Sequence, residues 1–366
     1  EQPIHLRFHP RQMNLRLLSS LLAVALLPFP GCASPTGDPQ PSTDSSAPPA
    51  ILFAALSMTK QQQASSIPTD SGLLLRDPAD GSWNRFGPKI QMISSATADP
   101  SDPDTVFLAC GNGVVRTTNG GKSWRLVTGW RESDVIQLAI NPLNGDQVYG
   151  ATAWGVIRSR DGGDSWQSAN QGLPEFFSRD IAIDPRNPRR LLLATSTGLF
   201  ESPDHAESWH RVPSFPKVAV LRLRQSQSHP DLWIAGTEGR GVWISRDNAH
   251  TWQQAAPQLH GKNIYAVAID PTNPSLLAAA GWQTGVHLSL DAGLSWSPSP
   301  APLPSPHITA ITFDPNSPHP LWASTFEEGT FLSADNGHSW SPPTLYSAYV
   351  HELHFFEKGV GPWILD

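Results

Sequence analysis

An eight-residue pattern that ends in tryptophan occurs six times along this 366-residue chain and constrains its fold more than any other feature. The closing tryptophans are 42 to 44 residues apart. The six segments are TTNGGKSW (117–124), SRDGGDSW (159–166), SPDHAESW (202–209), SRDNAHTW (245–252), SLDAGLSW (289–296) and SADNGHSW (333–340). A period of roughly 20–50 residues indicates units that bury their apolar faces only against neighbouring units. The spacing therefore predicts an array of similar supersecondary units.

The residue types inside the segment favour a tight turn that is fixed to a neighbouring sheet. An aspartate carboxylate can accept backbone N–H groups within such a turn, and glycine supplies positive φ. The tryptophan offers a large apolar area to wedge between sheets. We therefore assign the repeated residues a structural role, which makes these aspartates poor catalytic candidates. They are Asp161, Asp204, Asp247, Asp291 and Asp335, with Trp124, Trp166, Trp209, Trp252, Trp296 and Trp340.

Short apolar strands surround each segment. Residues 135–140 (VIQLAI) and 264–269 (IYAVAI) run into turns that contain Pro or Asn, and second strands such as 191–195 (LLLAT) follow. A glycine and a third strand then lead into the segment. Four short strands in each 40–45 residues are typical of a propeller blade. The predicted fold class is therefore all-β, a single β-propeller of four-stranded blades.

The six segments resemble the Asp-box, or BNR repeat, Ser-x-Asp-x-Gly-x-Thr/Ser-Trp. The resemblance covers about residues 69–366. Families with this repeat include sialidases, xyloglucanase-type glycosidases, sortilin-type receptors and photosystem II stability/assembly factors, and all of them are β-propellers. The resemblance implies the fold with high specificity and the function with low specificity, because these families differ in what they do.

The two chain ends predict seven blades. Trp83 follows Gly72 by eleven residues, as Trp209 follows Gly198, so residues 72–83 form a degenerate third strand and box. Residues 349–356 (YVHELHFF) look like a first strand with no box after it. We expect these ends to pair in one shared blade, which would close the ring and remove the exposed sheet edges. Two segments compete for the second strand of that blade: 362–365 (PWIL) and 51–56 (ILFAAL).

The N-terminal segment has the pattern of an export signal. A basic start at Met13–Arg16 precedes an apolar stretch over 17–27, which suits a signal peptide over 13–31 and is too short for a stable membrane span. Gly31-Cys32 resembles the lipobox of bacterial lipoproteins, which implies lipidation of Cys32; the alternatives are ordinary cleavage and an apolar segment with no targeting role. Residues 1–12 read as an upstream extension, and 32–68 as the lipoprotein cysteine with a flexible Pro/Ser-rich tether. The expected location is the bacterial cell envelope, either lipid-anchored or periplasmic or extracellular.

Charge and cysteine content exclude several function classes. The net charge of −7 argues against a nucleic-acid partner, which would normally meet a basic surface. The two cysteines, Cys32 and Cys110, lie in a targeting segment and an apolar strand, so we expect no disulfide. The 13 histidines are not spaced as metal ligands would be, and the sequence contains no phosphate-binding loop motif. We expect a monomer with no metal and no cofactor, which meets a membrane only through a lipid anchor.

The candidate binding surface is the face opposite the boxes. The loop into each first strand and the turn between second and third strands should form this "loop face", which is rich in aromatic and charged residues. Exposed aromatics among polar residues suit sugar stacking or a protein hot spot. The binding candidates are Trp130, Trp154, Arg179, Arg240, Trp282 and Phe326, with Lys217 and Lys262 as further cations and His307 and Tyr349 as further rings.

Enzymatic interpretations find weaker support. The Arg-Ile-Pro motif of sialidases is missing from this sequence. Xyloglucanase-like enzymes place two carboxylates across a cleft between two propellers, and this chain has the length of one propeller. Weak catalytic candidates on the loop face are Asp134, Asp180, Glu327 and Glu328.

The expected function is therefore a non-enzymatic, envelope-tethered scaffold that recognises a protein partner through its loop face. The single propeller with a lipid tether resembles the photosystem II stability/assembly factors, which implies binding to other proteins. The alternative is a carbohydrate-active propeller, either a glycoside hydrolase or a glycan-binding protein.

Overall fold

The computed structural model describes residues 49–58, 71–316 and 320–356. Within these residues, antiparallel strands form seven sheets arranged as the blades of a propeller, which confirms the predicted fold and blade count. One turn of 3₁₀ helix, Pro257–Leu259, interrupts the strands. No helix in the described part of the chain is long and apolar enough to cross a bilayer.

Six blades follow one another along the chain, each with its strands in sequence order. Blade 1 holds β4 (Ile93–Asp99), β5 (Asp102–Cys110), β6 (Gly113–Thr118) and β7 (Arg125–Leu126); blade 2 holds β8 (Val135–Asn141), β9 (Asn144–Thr152), β10 (Gly155–Ser159) and β11 (Gln167–Ser168); blade 3 holds β12 (Ser178–Ile183), β13 (Leu191–Thr195), β14 (Gly198–Ser202) and β15 (His210–Arg211). Blade 4 holds β16 (Val220–Gln225), β17 (Trp233–Thr237), β18 (Val242–Ser245) and β19 (Gln253–Ala255); blade 5 holds β20 (Ile264–Ile269), β21 (Leu277–Gly281), β22 (Gly285–Ser289) and β23 (Ser297–Pro298); blade 6 holds β24 (Ile308–Phe313), β25 (Leu321–Thr325) and β26 (Gly329–Ser333). In blade 6 a single bridge between Thr330 and Thr344 stands where the other blades have a fourth strand.

Blade 7 closes the ring by joining both ends of the described chain. Its order is β27 (Ala348–Phe356), β1 (Ile51–Met58), β2 (Gly72–Arg76) and β3 (Trp83–Arg85). Shared closure is therefore confirmed, and the second strand is the 51–58 segment. The competing segment 362–365 lies outside the described residues, and its expected place between β27 and β2 is filled by β1.

Strand β1 takes this place because its residues suit a strand that is covered on both faces. Residues 52–56 are all buried, and β1 pairs with β27 along its whole length. Second strands of other blades have the same character, such as the fully buried β13 and β17. A sheet buried on both faces selects continuous apolar runs rather than alternation. Residues 51–58, which the sequence analysis assigned to the tether, therefore belong to the propeller, so the propeller includes residues upstream of the boundary expected at residue 69.

The innermost strands carry a shared irregularity. In blades 1 to 6, pairing with the second strand skips the second residue of the first strand, as at Ile136, Arg179 and Tyr265. In blade 7 the skipped residue is His351. A β-bulge leaves its extra residue unpaired and bends the strand locally. Here the skipped residues of all seven inner strands line one small cavity, so the bulges aim side chains into the central channel.

The box turns hold each blade to the preceding one. In blade 2, Ser165 donates through both N and Oγ to Asp161, at 2.8 and 2.6 Å, and Ser159 Oγ donates to Asp161 at 2.7 Å. Gly163 has a φ of +87°, and a Cβ there would lie 2.6 Å from Phe107 of blade 1. The repeated glycine is therefore required both by the turn and by the close approach of the neighbouring blade.

Box tryptophans complete the same contacts between blades. Trp209 of blade 3 donates its indole N–H to the Ala169 carbonyl of blade 2 at 2.8 Å, and Trp340 of blade 6 donates to Ala301 of blade 5 at 3.0 Å. Trp124 packs edge-on against Phe86 at the end of blade 7. The boxes thus stabilise the ring on the face opposite the loop face. Cys110 lies buried in β5, and burial raises the pKa of its thiol to about 12.

Candidate functional site

The loop face carries a continuous row of aromatic rings on blades 5 to 7. Trp282 stacks on His307 with 4.0 Å between ring centroids, and its edge meets Phe326 at 5.6 Å. Phe326 contacts Tyr349 at 5.8 Å, and Tyr349 contacts His351 at 4.6 Å. We call Trp282, His307, Phe326 and Tyr349 the aromatic row. The row begins at the indole of Trp282, which is 41% exposed, and ends at Tyr349, at the mouth of the central channel.

Local backbone geometry positions this row. Trp282 and Phe326 occupy the turns between second and third strands of blades 5 and 6, whereas His307 precedes β24. Phe326 N donates to the His307 carbonyl at 2.8 Å, and Gln283 N donates to His307 Nδ1 at 3.3 Å. The turns of two blades and the loop between them are therefore bonded to one another. The structure brings together Trp282 and Phe326, which the sequence named separately.

Two other predicted binding residues lie apart from the row, on blade 2. Trp130 is 82% exposed and packs against the guanidinium of its neighbour Arg131. Trp154 is 62% exposed, and its indole N–H donates to Asp134 Oδ2 at 3.0 Å. Asp134 therefore serves as the acceptor for an exposed indole.

The predicted cations are spread around the loop face. Arg240, Lys217 and Lys262 are exposed on the loops of blades 4 and 5. Arg179 lies in β12, at the channel mouth, with its guanidinium over the ring of Phe177. Only Arg179 among these four cations lines the channel cavity.

Asp180 lies inside the propeller rather than on a loop. It belongs to β12 and is 1% exposed. Its carboxylate accepts Leu223 N at 2.9 Å and Arg224 Nη1 at 3.0 Å. The bulge at Arg179 turns Asp180 toward blade 4, which the sequence pattern alone did not reveal.

A second buried carboxylate, Glu352 of β27, lies beside the same arginines. We call Asp180, Glu352, Arg222 and Arg224 the interior charge cluster. Arg224 Nη2 lies 3.2 Å from Glu352 Oε1, and Arg222 Nη1 lies 3.8 Å from the same oxygen. Burial raises the pKa of Glu352, and the two arginines oppose that rise. Sequence reasoning missed Glu352, Arg222 and Arg224; the available signal was charge within apolar inner strands (VLRLRQ and AYVHELHFF).

The two histidines of β27 are neutral at neutral pH. Burial, aided by the nearby arginine charges, lowers the pKa of His351 to about 4 and that of His354 to about 3. Ser57 Oγ lies 2.8 Å from His351 Nε2, which fixes that ring. In the described part of the chain, no three His, Cys, Asp or Glu side chains are grouped so as to hold a metal ion.

The four weak catalytic candidates occupy different parts of the propeller. Asp134 precedes β8 of blade 2, Asp180 lies within blade 3, and Glu327 and Glu328 form the turn between β25 and β26 of blade 6. Blades 2 and 6 are not neighbours in the ring. Glu327 has a φ of +70°, and its carbonyl accepts Ser347 N, so its backbone orders the loop into β27. No two candidates other than the adjacent glutamates lie in one loop.

A cavity of about 130 Å³ opens at the channel mouth above the charge cluster. It is lined by residues from all seven inner strands: Ser94, Ile136, Arg179, Leu221, Arg222, Tyr265, Thr309, Tyr349 and His351. A second cavity of about 340 Å³ contacts Asp180, Arg224 and Glu352 from the other side. The interior charge cluster thus separates the two cavities.

Comparison with known proteins places the fold among propellers of two kinds. No protein-family model and no curated protein matches the chain. Among solved structures, a GH74 enzyme of Niastella koreensis matches with a TM-score of 0.64 at 16% identity, over 80% of this chain and 54% of that one. The GH74 xyloglucanase of Xanthomonas campestris matches with 0.58 at 20%, over 69% and 45%. YCF48 bound to D1 peptide matches with 0.52 at 17%, over 70% and 82%.

These likenesses concern the fold. This chain spans about half the length of the two GH74 enzymes and most of the length of YCF48. Both kinds of neighbour agree with the Asp-box resemblance, and the chain folds as a seven-bladed β-propeller of that architecture.

Proposed function

We propose that this chain is a non-enzymatic binding scaffold that holds a protein partner on its loop face. The aromatic row is the observation that carries the proposal. Binding energy at protein interfaces concentrates in a few aromatic and arginine side chains that sit in packed surroundings. Trp282 is such a side chain, since it is exposed on one side and fixed by His307 and Phe326 on the other.

Pre-organisation strengthens the row as an anchor. A side chain that orders on binding costs about 0.5–1.5 kcal/mol in lost rotamer freedom. The stacking of Trp282 on His307 and the edge contact of Phe326 with Tyr349 restrict these rings before any partner arrives. A partner would therefore gain their apolar contact at a reduced entropic cost.

The fold neighbours include one propeller with a bound peptide, YCF48 with D1 peptide. The repeats also resemble those of photosystem II assembly factors. Both facts support a protein segment as the kind of partner. The carboxylates also favour binding over catalysis, because Asp134 accepts a hydrogen bond from Trp154 and Asp180 accepts one from Arg224.

The test is crosslinking and affinity capture with the full chain in extracts of its source cells. We expect one protein to be enriched by the native chain and lost with Trp282→Ala and Phe326→Ala. Leu294→Ala is the matched control, since Leu294 is an exposed apolar residue of a box turn on the opposite face. Equal recovery by all three variants, or nothing above a mock capture, contradicts the proposal.

A glycan partner is the second candidate, favoured by the exposed indoles of Trp130 and Trp154. Such faces suit sugar stacking, and the GH74 neighbours act as a fold-level precedent. Reducing-sugar release and binding on a polysaccharide panel test it. The variant set should be Asp134→Ala, Glu327→Ala, Glu328→Ala and Asp180→Asn, because Asp180→Ala would disturb the interior charge cluster. Binding that depends on Trp130 and Trp154 without release would favour a glycan-binding protein over an enzyme.

We also propose that the propeller is exported and tethered to the cell envelope through Cys32. This proposal is supported by the signal-like pattern of residues 13–31 and the Gly-Cys pair. These residues lie outside the part of the chain that the structure describes.

A further inference from the structure

The channel mouth combines unusual charge with unused hydrogen-bonding groups. Arg179 and Arg222 both line its cavity, which lies on the loop face of a protein with net charge −7. Arg222 is paired with the carboxylates of Asp180 and Glu352 at 3.9 and 3.8 Å. Among the described residues, no carboxylate lies within salt-bridge distance of Arg179, and its buried Nε has no hydrogen-bond partner.

The balance of charge in the channel is therefore positive. Three guanidiniums (Arg179, Arg222 and Arg224) face two carboxylates (Asp180 and Glu352). The neutral His351 and His354 add nothing to this sum. A charge that is partly withdrawn from water is costly unless it is paired. An anion at the mouth would supply the missing partner.

Neutral donors surround the same space. Tyr265, Tyr349 and Ser94 line the cavity, and their hydroxyl groups make no hydrogen bond with other described residues. Thr309 also lines it, and its hydroxyl donates to the Ser324 carbonyl at 3.3 Å. Guanidinium forks and hydroxyls together form the donor set that carboxylates and phosphates require.

Cavity size limits what can bind. At about 130 Å³ it is much smaller than the roughly 300–1,000 Å³ of pockets for drug-sized ligands. It suits one small anionic group. We propose that the channel mouth binds a single carboxylate or phosphate-type oxyanion, held by Arg179 with help from Tyr265 and Tyr349. Arg222 contributes its positive charge, since its terminal nitrogens donate to the His351 carbonyl and to Gln137. Tyr349 belongs both to this site and to the aromatic row, but anion binding does not require that the row bind a protein.

Thermal unfolding of the full chain at constant ionic strength tests the proposal. The probes are acetate and inorganic phosphate as free ions, and a blocked Ala-Glu-Ala peptide with Ala-Gln-Ala as its neutral control. Relative to chloride, we expect at least one anionic probe to raise the unfolding midpoint in a saturable manner, because a ligand of the folded state stabilises it by mass action. Response to free ions identifies a small-anion site, and response to the Glu peptide alone identifies a site for a chain-borne carboxylate.

Variants locate the site. Arg179→Gln should weaken anion affinity by about tenfold or more, since a charge-assisted hydrogen bond is lost. Tyr349→Phe keeps the ring and removes only the hydroxyl, so it should weaken affinity several-fold and it remains informative if Arg179→Gln folds poorly. Lys122→Gln, on an exposed box turn, should bind like the native chain. The proposal is overturned if no anionic probe binds, or if the Arg179 and Tyr349 variants bind as tightly as the Lys122 variant.

Anomalous diffraction from crystals soaked in selenate gives a second reading. A peak at the channel mouth that is absent from Arg179→Gln crystals supports the site. Peaks confined to other surfaces contradict it. Neither result bears on protein capture by Trp282, so failure of the anion site and failure of the proposed scaffold role are distinguishable.

Discussion

Replacing Trp209 with alanine should destabilise the propeller more than any change on the loop face. Trp209 is 1% exposed and packs in the cluster that joins blades 2 and 3, with Tyr149, Leu191 and Phe200. Its indole also donates to the Ala169 carbonyl of the preceding blade at 2.8 Å. The substitution therefore removes an apolar wedge and a hydrogen bond between blades at once.

The expected cost follows from these two losses. Truncation of a buried Trp or Phe to Ala costs about 3–5 kcal/mol, including the cavity left behind. The hydrogen bond contributes about 1 kcal/mol of this, and more if the Ala169 carbonyl stays unsatisfied. Trp209→Phe should thus lose only about 1–3 kcal/mol. Since folded domains are stable by about 5–15 kcal/mol, the alanine variant should lose a large share of the total.

Urea unfolding monitored by circular dichroism measures these differences. Trp130→Ala is the matched control, because the same residue type is removed from an 82% exposed position, and its cost should lie within about 0.5 kcal/mol. The expected order of midpoints is native and Trp130→Ala, then Trp209→Phe, then Trp209→Ala. The reasoning is refuted if Trp209→Ala and Trp130→Ala unfold at the same urea concentration.

Three further predictions concern the boxes, the channel and the N-terminus. Hydrogen bonds from Ser295 and Ser289 lower the pKa of Asp291 to about 2, so the stability that this carboxylate contributes is present above about pH 4 and is lost as pH falls toward 2. The urea midpoint should therefore fall over that range. Asp291→Asn should reduce the fall, because Asn119 already fills this position in blade 1. Asp180→Ala should cost about 3–5 kcal/mol because it leaves the partly buried Arg224 without one of its partners, whereas Asp134→Ala should cost about 1 kcal/mol. Similar midpoints for both variants in urea would contradict the interior placement of Asp180. Cys32→Ser should abolish incorporation of labelled palmitate and shift the chain from the membrane to the soluble fraction on centrifugation; unchanged labelling would exclude Cys32 as the lipidated residue.

The sequence was sufficient for the fold because the information is local and repeated. Each box fixes its own turn through contacts within about four residues, such as Ser165 with Asp161. Six copies at one period therefore identify blades without knowledge of how they meet. Even the shared blade could be inferred, since a third strand at one end and a first strand at the other each lacked partners. The choice of 51–58 as the second strand of that blade could not be inferred from the sequence, because its pairing with β27 joins residues about 300 positions apart.

The site depended on tertiary structure for the same physical reason. Loop-face residues such as Trp282 and Phe326 could be named from their positions after second strands, but only the adjacency of blades 5, 6 and 7 joins them into one row. Asp180, Arg224 and Glu352 lie in three blades, and a bulge decides which side chain faces the channel. The sequence by itself determined a ring of seven blades, because local turns repeat six times and the two chain ends complete one further blade. The tertiary structure alone decided the interior charge cluster and the cationic channel mouth, because charges distant in sequence meet only where inner strands converge.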